Sequence, residues 1–312
     1  MRHVFSLSKR RVLAGVLLLA GMTLGSGLAV AVMAAIPDNG QINACYDSLT
    51  KVLSVTDPAG SCGAGSTAIS WAQNGPLVSN VAGADLSHSN MPYWNLSNRD
   101  FTNANFTGAN LNGADFTGST LTGANLSFAQ LGNVDLSGRD FSGQSISRTD
   151  FHGANLTNVN FTNAMLSGSM FNDATLTGTA FTGADLSNSR LSGDNLSGKN
   201  FNGTIFTSAQ LTSADLHSTD LSSVASFTQV QIDGGNFTSA NLSGLTLDSI
   251  SATNSTNFAS TDFTNAAISN SNFQGSDLSS ATLTGTTWAN TTCPDGTNSD
   301  SNSSTCVGHL VP

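Results

Sequence analysis

Ala104-Asn105-Phe106-Thr107-Gly108-Ala109-Asn110-Leu111-Asn112-Gly113-Ala114-Asp115-Phe116-Thr117-Gly118 repeats itself every five residues. Its apolar centres, Phe106, Leu111 and Phe116, extend in both directions without a break. From Leu86 to Leu221 every fifth residue is apolar, 28 centres in a single register. With the centre as i, position i−2 is Ala in 12 of the 28 units and Ser, Thr or Val in ten more. Position i+1 is Ser or Thr in 21, and i+2 is Gly in 13 and Asn in six. A period of five matches neither a strand nor a helix. It suits a short extended segment that turns a corner every five residues. Gly and Asn at i+2 tolerate the left-handed backbone that a corner demands. The centre then points inward, the small i−2 residue fits the corner, and the polar positions face water. Regular repetition of this kind specifies a solenoid.

The phenylalanines give the number of units per turn. In the column Phe101, Leu121, Phe141, Phe161, Phe181, Phe201, Leu221, spaced by 20, five of seven members are Phe. The other three columns hold five Phe among 21. Rings recurring every 20 residues mean four units per turn and a square section. Later units bring the reading to about ten coils, a rod roughly 50 Å long at the ~4.8 Å spacing of stacked strands.

These residues resemble the pentapeptide-repeat family over 84–290. The resemblance implies an all-β fold, a right-handed quadrilateral β-helix. The register slips by one residue near 222–227, where Phe227 follows Leu221, and near 248–258, where Phe258 follows Leu247 by eleven. The first slip reads as a corner bulge. The segment Asp248–Asn257 reads as a protruding loop with Ile250 tucked back. The solenoid is expected over 81–290.

Residues 1–36 precede it in a different style. Arg2, Lys9, Arg10 and Arg11 are followed by an uncharged run from Val12 to Ile36. This pattern predicts a signal peptide cleaved near Ala34, or an uncleaved helix that anchors the chain in a membrane. Either places the remainder outside the cytoplasm, secreted or on the cell surface. Residues 37–80 read as a small Cys-containing β-rich cap: Ile42–Tyr46, Val52–Val55 and Ala68–Trp71 predict a β-meander. A cap is needed because an open solenoid end exposes core and strand edges. Residues 291–312 form a polar tail.

If the two caps close opposite ends, only the pairings Cys45–Cys62 and Cys293–Cys306 bring Cα atoms within the ~7 Å a disulfide needs. Paired cysteines fit an oxidising compartment. The four cysteines lie away from clustered histidines, so the sequence implies no metal; a faint calcium-loop pattern at Asp295–Asp300 reads as a disulfide-closed polar turn. No cofactor motif is present.

The Phe101, Phe141, Phe161, Phe181, Phe201 core stack has an unusual flank. Its i−2 residues include Arg99, Arg139 and Lys199, and Ala is absent there. Asp100, Asp140 and Asp220 stand at i−1; Thr102, Thr122, Thr162 and Thr182 stand at i+1. Two readings apply. Longer stems cover a corner widened by Phe, or the side is a flat recognition face for a regular surface such as polysaccharide.

The sequence has no Glu, no nucleophile beside a His and no phosphate-binding glycine loop, which argues against an enzyme. It carries 20 Asp against ten Lys and Arg, a net charge of −10. That argues against nucleic acid as a partner. The expected function is an exported, non-enzymatic rod that is structural, adhesive or surface-binding at a bacterial envelope. Its partner is envelope polysaccharide or another protein, and membrane contact is confined to residues 12–36. The alternative is a regulatory mimic of DNA that binds a protein by shape and charge, as the acidic i−1 positions of some pentapeptide-repeat proteins suggest. Against it, the nine Asp at i−1 of Leu86–Leu221 spread over all four columns.

Overall fold

The computed structural model describes residues 81–310, together with the backbone of five strands between Leu19 and Ala72. The chain divides into two units, Met1–Ser79 and Asn80–Pro312.

In the first unit, β1 (Leu19–Leu24) pairs antiparallel with β2 (Leu28–Met33). The apolar run was expected to be helical; the described part of it is strand. Val30 and Val32 are β-branched, and Gly21, Gly25 and Gly27 each weaken a helix. Among the described residues no helix is long and apolar enough to cross a membrane. Next come β3 (Gln41–Asp47), β4 (Val52–Thr56) and β5 (Ser66–Ala72). Both β4 and β5 pair antiparallel with β3, giving the order β4-β3-β5. The three strands match the sequence reading, but not as a meander. The first strand is central, since both of the others pair with it. The Cys45–Cys62 pairing lies outside the described residues.

The second unit is an all-β solenoid. Each coil lies on the one 20 residues before it through parallel bridges such as Asn155↔Thr175, Met165↔Asp185 and Arg190↔Gln210. The 28 centres point inward, and Phe141, Phe151, Phe161, Phe171, Phe181 and Phe201 are fully buried. Rings of one column stack face to face: Phe141–Phe161, Phe161–Phe181 and Phe181–Phe201 have centroids 5.8, 5.7 and 6.0 Å apart with planes within 20°. Ring separations of this size are favourable beyond simple burial.

The corner geometry follows from the unit. The i+2 residue takes a left-handed backbone: Asn163 has φ 58° and Gly183, one coil on, φ 69°. The carbonyl of most centres accepts the N–H three residues later, as from Ala164 to Phe161 at 3.0 Å. The Asx residue at i−1 accepts the i+1 N–H, as Asn160 Oδ1 does from Thr162 at 3.0 Å. This local bond is why Asn and Asp hold that position.

Both slips are absorbed at corners. After Leu221 the extra residue lies within Ser223–Ser226, and Ile205 pairs with Ser226. The second slip corrects the protruding-loop expectation. Ala252, fully buried, takes the centre position five residues after Leu247, with Gln231↔Ser251 and Ser251↔Asn272 in the ladder. The extra residue sits after it, where Asn254 and Ser255 both have φ near 60°. A small centre was invisible to a search for large apolar residues. The last coils form a parallel sheet of β6 (Thr246–Asp248), β7 (Ala267–Ser269) and β8 (Thr287–Ala289).

The repeat also runs one unit past Trp288. Cys293 is fully buried, and its neighbour Thr292 bridges to Asn272. Cys293 is joined to Cys306 with Cα atoms 5.4 Å apart. The loop between them holds a short 3₁₀ turn, Ser299–Asn302, capped by Asn298 Oδ1 accepting from Asp300 N at 2.9 Å. The chain then returns across the end, where Leu278 N–H donates to Leu310 O at 3.1 Å.

Candidate functional site

The flank of the Phe column is where the sequence breaks its own rule, and the structure shows what the exceptions do. An ordinary i−2 hydroxyl reaches back to a centre carbonyl on the preceding coil. Thr149 Oγ1 donates to Leu126 O, Thr179 Oγ1 to Leu156 O and Thr204 Oγ1 to Phe181 O, each at 2.8 Å. Arg139 and Lys199 make the same reach with larger groups. Arg139 Nη1 donates to Ser119 O at 2.7 Å and Nη2 to Phe116 O at 2.6 Å. Lys199 Nζ donates to Leu176 O. Arg99 is buried, 5% exposed, and Arg139 and Lys199 are half-buried. Burial holds all three cations below their usual pKa values.

The three basic residues are therefore not an outward recognition row; their stems fill the corner, and the heads of Arg139 and Lys199 bond backbone. Of the remaining predicted residues, Asp100 Oδ1 accepts from Thr102 N and Oγ1 at 2.9 and 2.5 Å. Asp140 Oδ1 accepts from Ser142 N at 2.9 Å and from Asn160 Nδ2 at 3.0 Å. These bonds, led by Thr102 and Ser142, depress both carboxyl pKa values. Thr122 is exposed, and Thr102, Thr162 and Thr182 are half-buried. The side remains flat and polar, but its charge is mostly spent internally.

A guanidinium or ammonium in a slot shaped for Ala separates the coils. Beside Arg139 the N–H groups of Phe116, Gly118 and Leu121 find no carbonyl on Asp135, Ser137 and Asp140. Beside Lys199 those of Leu176, Gly178 and Phe181 find none on Asn195, Ser197 and Asn200. The equivalent bonds elsewhere are short, as from Phe161 N to Ala180 O and from Asn163 N to Thr182 O, both 2.9 Å. Packing tells the same story. A Cβ added at Gly203, stacked on Gly183, would lie 3.6 Å from the Gly183 Cα, whereas at Gly138, Gly143 and Gly198, which also stack on glycines, it would meet nothing within 4 Å.

The Lys199 seam carries two further features. The segment from Gly198 to Phe201 is also unpaired on its other side, because Gly198 and Phe201 N–H groups have no partner on His217 or Asp220. A cavity of about 410 Å³ opens there, lined by Gly198, Lys199, Asn200, Asn202, Ser218, Asp220 and Ser223. At the edge of the same seam Asp194 occupies an i−2 slot and is 5% exposed, and its Oδ2 has no hydrogen-bond partner. Burial, with the Asp173 charge beside it, pushes its pKa up to about 7.

The sequence reading placed Lys199 and Asp220 on its candidate face and passed over Asn202, Ser218, Ser223 and Asp194. Asp194 did carry a signal, being the single acidic residue among the 28 i−2 positions. At the far end, Asp295 Oδ1 accepts from Thr297 N and Oγ1, and His309 Nδ1 lies 2.5 Å from its Oδ2. These contacts, Thr297 first, lower its pKa to about 2.

Comparison with known proteins places these features in context. A family model described as pentapeptide repeats matches in 8 copies over residues 79–118, 100–138, 184–222 and 254–287. A second, the pentapeptide repeat region, matches 124–201. Together they cover more than half of the chain. Among curated proteins none matches. Among solved structures, HetL, a pentapeptide repeat protein involved in heterocyst differentiation regulation in the cyanobacterium Nostoc sp. strain PCC 7120, is similar. It is 26% identical over 66% of this chain and 92% of its own, with a TM-score of 0.41. QnrB1, a plasmid-mediated fluoroquinolone resistance protein, is 18% identical over 67% of this chain and 89% of its own, TM-score 0.29. A pentapeptide repeat protein from the thylakoid lumen of Arabidopsis thaliana is 35% identical over 36% of this chain and 66% of its own, TM-score 0.15.

Proposed function

The chain belongs to the pentapeptide-repeat family, and on that premise we propose that it is an exported, non-enzymatic rod that works by surface binding. The rod is right-handed, of about ten coils, and engages envelope polysaccharide or another protein through its outer sides. The observation that carries this reading is the filled interior. Centres and i−2 residues occupy the whole section, so recognition belongs to the outside and to irregularities between coils. Export is supported by the basic start and uncharged run of residues 1–36, and by the Cys293–Cys306 bond, which suits an oxidising compartment.

Fractionation of the native host, with the N-terminus of the product sequenced, tests the proposal. A start near Ala35 in medium or cell wall is the expected result. An intact Met1 in the membrane fraction would make the rod a tethered one. A product confined to the cytoplasm would overturn export and return the acidic surface to a role in mimicry of DNA.

A further inference from the structure

The cleft beside Lys199 is unlike the rest of the solenoid, because the backbone of Gly198–Phe201 belongs to neither neighbouring coil. Away from this cleft and the Arg139 seam, stacked coils consume most of their own N–H and C=O groups. Here the carbonyls of Lys199, Asn200 and Asp220 accept no hydrogen bond within the described residues. The side chains around them are also unspent. Asn202, Ser218 and Ser223 make no side-chain hydrogen bond within the described residues, and Asp220 Oδ2 has no protein partner. Asp220 is nevertheless fixed. Its Oδ1 accepts from Ser222 N at 3.0 Å, Ser222 Oγ at 2.7 Å and Asn241 Nδ2 at 3.0 Å. A preset acceptor faces a ligand without first having to be ordered.

We propose that this cleft between the Lys199 and Asp220 coils is a binding site for a neutral saccharide unit. The proposal rests on the surface-binding reading above and gives it a location. Four observations select the ligand class. The volume, about 410 Å³, lies in the range of small-ligand sites. The lining is amide, hydroxyl, carboxylate and free backbone, which together match the alternating donors and acceptors of a polyol. The lining has one basic residue, Lys199, whose Nζ is already bonded to Leu176 O, and one acidic residue, Asp220, so no cluster of like charge selects an ionic ligand. The chain as a whole carries −10 and repels polyanions. A peptide would need an apolar pocket for its side chains, and the lining residues provide none.

Lys199 lines the cleft from a corner slot that Thr179 and Thr219 fill in the adjacent coils, and its Nζ donates back to Leu176 O. Both threonines reach a carbonyl of the coil before, Thr179 to Leu156 O at 2.8 Å and Thr219 to Leu196 O at 3.4 Å. Lys199→Thr would take the long stem out of the lining, allow the same bond to Leu176 O and let the segment seat against the preceding coil.

The test is an amide ¹⁵N NMR titration of the protein with maltotriose, cellotriose and chitotriose. It uses the wild type, Lys199→Thr, and Met165→Ser, an exposed position on another side of the rod. The expected result is saturable shifts confined to amides of 198–202 and 218–223 with at least one sugar. Affinity should fall at least tenfold in Lys199→Thr and stay unchanged in Met165→Ser. Shifts elsewhere, or shifts indifferent to Lys199→Thr, would overturn this site and leave the surface-binding reading standing. No shift with any of the three sugars would overturn the saccharide assignment. In that event, binding of the labelled protein to intact host cells would still decide the broader reading on its own.

Discussion

Each unit is held by a small set of local bonds, and the residues that depart from them are the ones with measurable consequences. Asp194 is the sharpest case. Ser at the same i−2 position of the preceding unit is satisfied locally, Ser189 Oγ donating to Leu186 O at 2.6 Å. A carboxylate there can only accept, and the carbonyls that line the slot offer it nothing. Its folded pKa of about 7 lies well above the ordinary value of ~3.9 for an unfolded chain. The folded state therefore binds the proton more tightly. Stability falls as pH rises between those two values, and the penalty is fully present above pH 7. Asp194→Ser should raise Tm by roughly 5 °C at pH 8.5 and change it little at pH 4.5. Equal shifts at both pH values, followed by circular dichroism melts, would show that the carboxylate is not the source of the strain.

Coils are the next level, and the inter-coil ladder is their main bond. A single oversized i−2 residue costs several ladder hydrogen bonds, each worth about 1 kcal/mol net, and returns one or two charge-assisted ones. Seams at Arg139 and Lys199 are thus expected to be the loosest joints in the middle of the rod. Hydrogen exchange provides the check. Amides of Phe116, Gly118 and Leu121 should exchange much faster than that of Phe161, and Arg139→Thr should slow them at least tenfold by restoring the ladder. If the wild-type amides are already as protected as Phe161, the seam is closed in solution.

At the scale of the whole solenoid, every coil touches only its neighbours, so damage should stay near where it is made. The Cys293–Cys306 bond shows this well, since it ties the last inward residue to the segment that crosses the end. Its loop has a sequence separation of 13, for which the chain-entropy model gives about 3 kcal/mol. Cys306→Ser should speed exchange across residues 287–310 while amides around Phe161 keep their wild-type rates. A uniform loss of protection along the rod would mean that the coils unfold as a single cooperative block. Net charge acts at this scale too, favouring solubility and disfavouring polyanionic partners.

The unbroken five-residue period determined the solenoid, the inward centres and the left-handed i+2 corner, because each is a local requirement repeated in every unit, and the 20-residue recurrence of Phe in one column added the four-unit turn. It also located the two slips, since a one-residue insertion shifts every later centre. What it left undecided depends on neighbours 20 residues away. Ala252 reads as a gap until the coils above and below show that it fills the centre, and Cys293 reads as tail until its bridge partner is known. From sequence, Arg139 and Lys199 read as corner fillers first and as a surface row second. Only the fold decided between these, by placing each head against the carbonyls of the coil before. The cleft at Asp220 is wholly tertiary, for it is an absence of pairing between two coils, and no single repeat unit records whether its neighbour is within hydrogen-bonding distance.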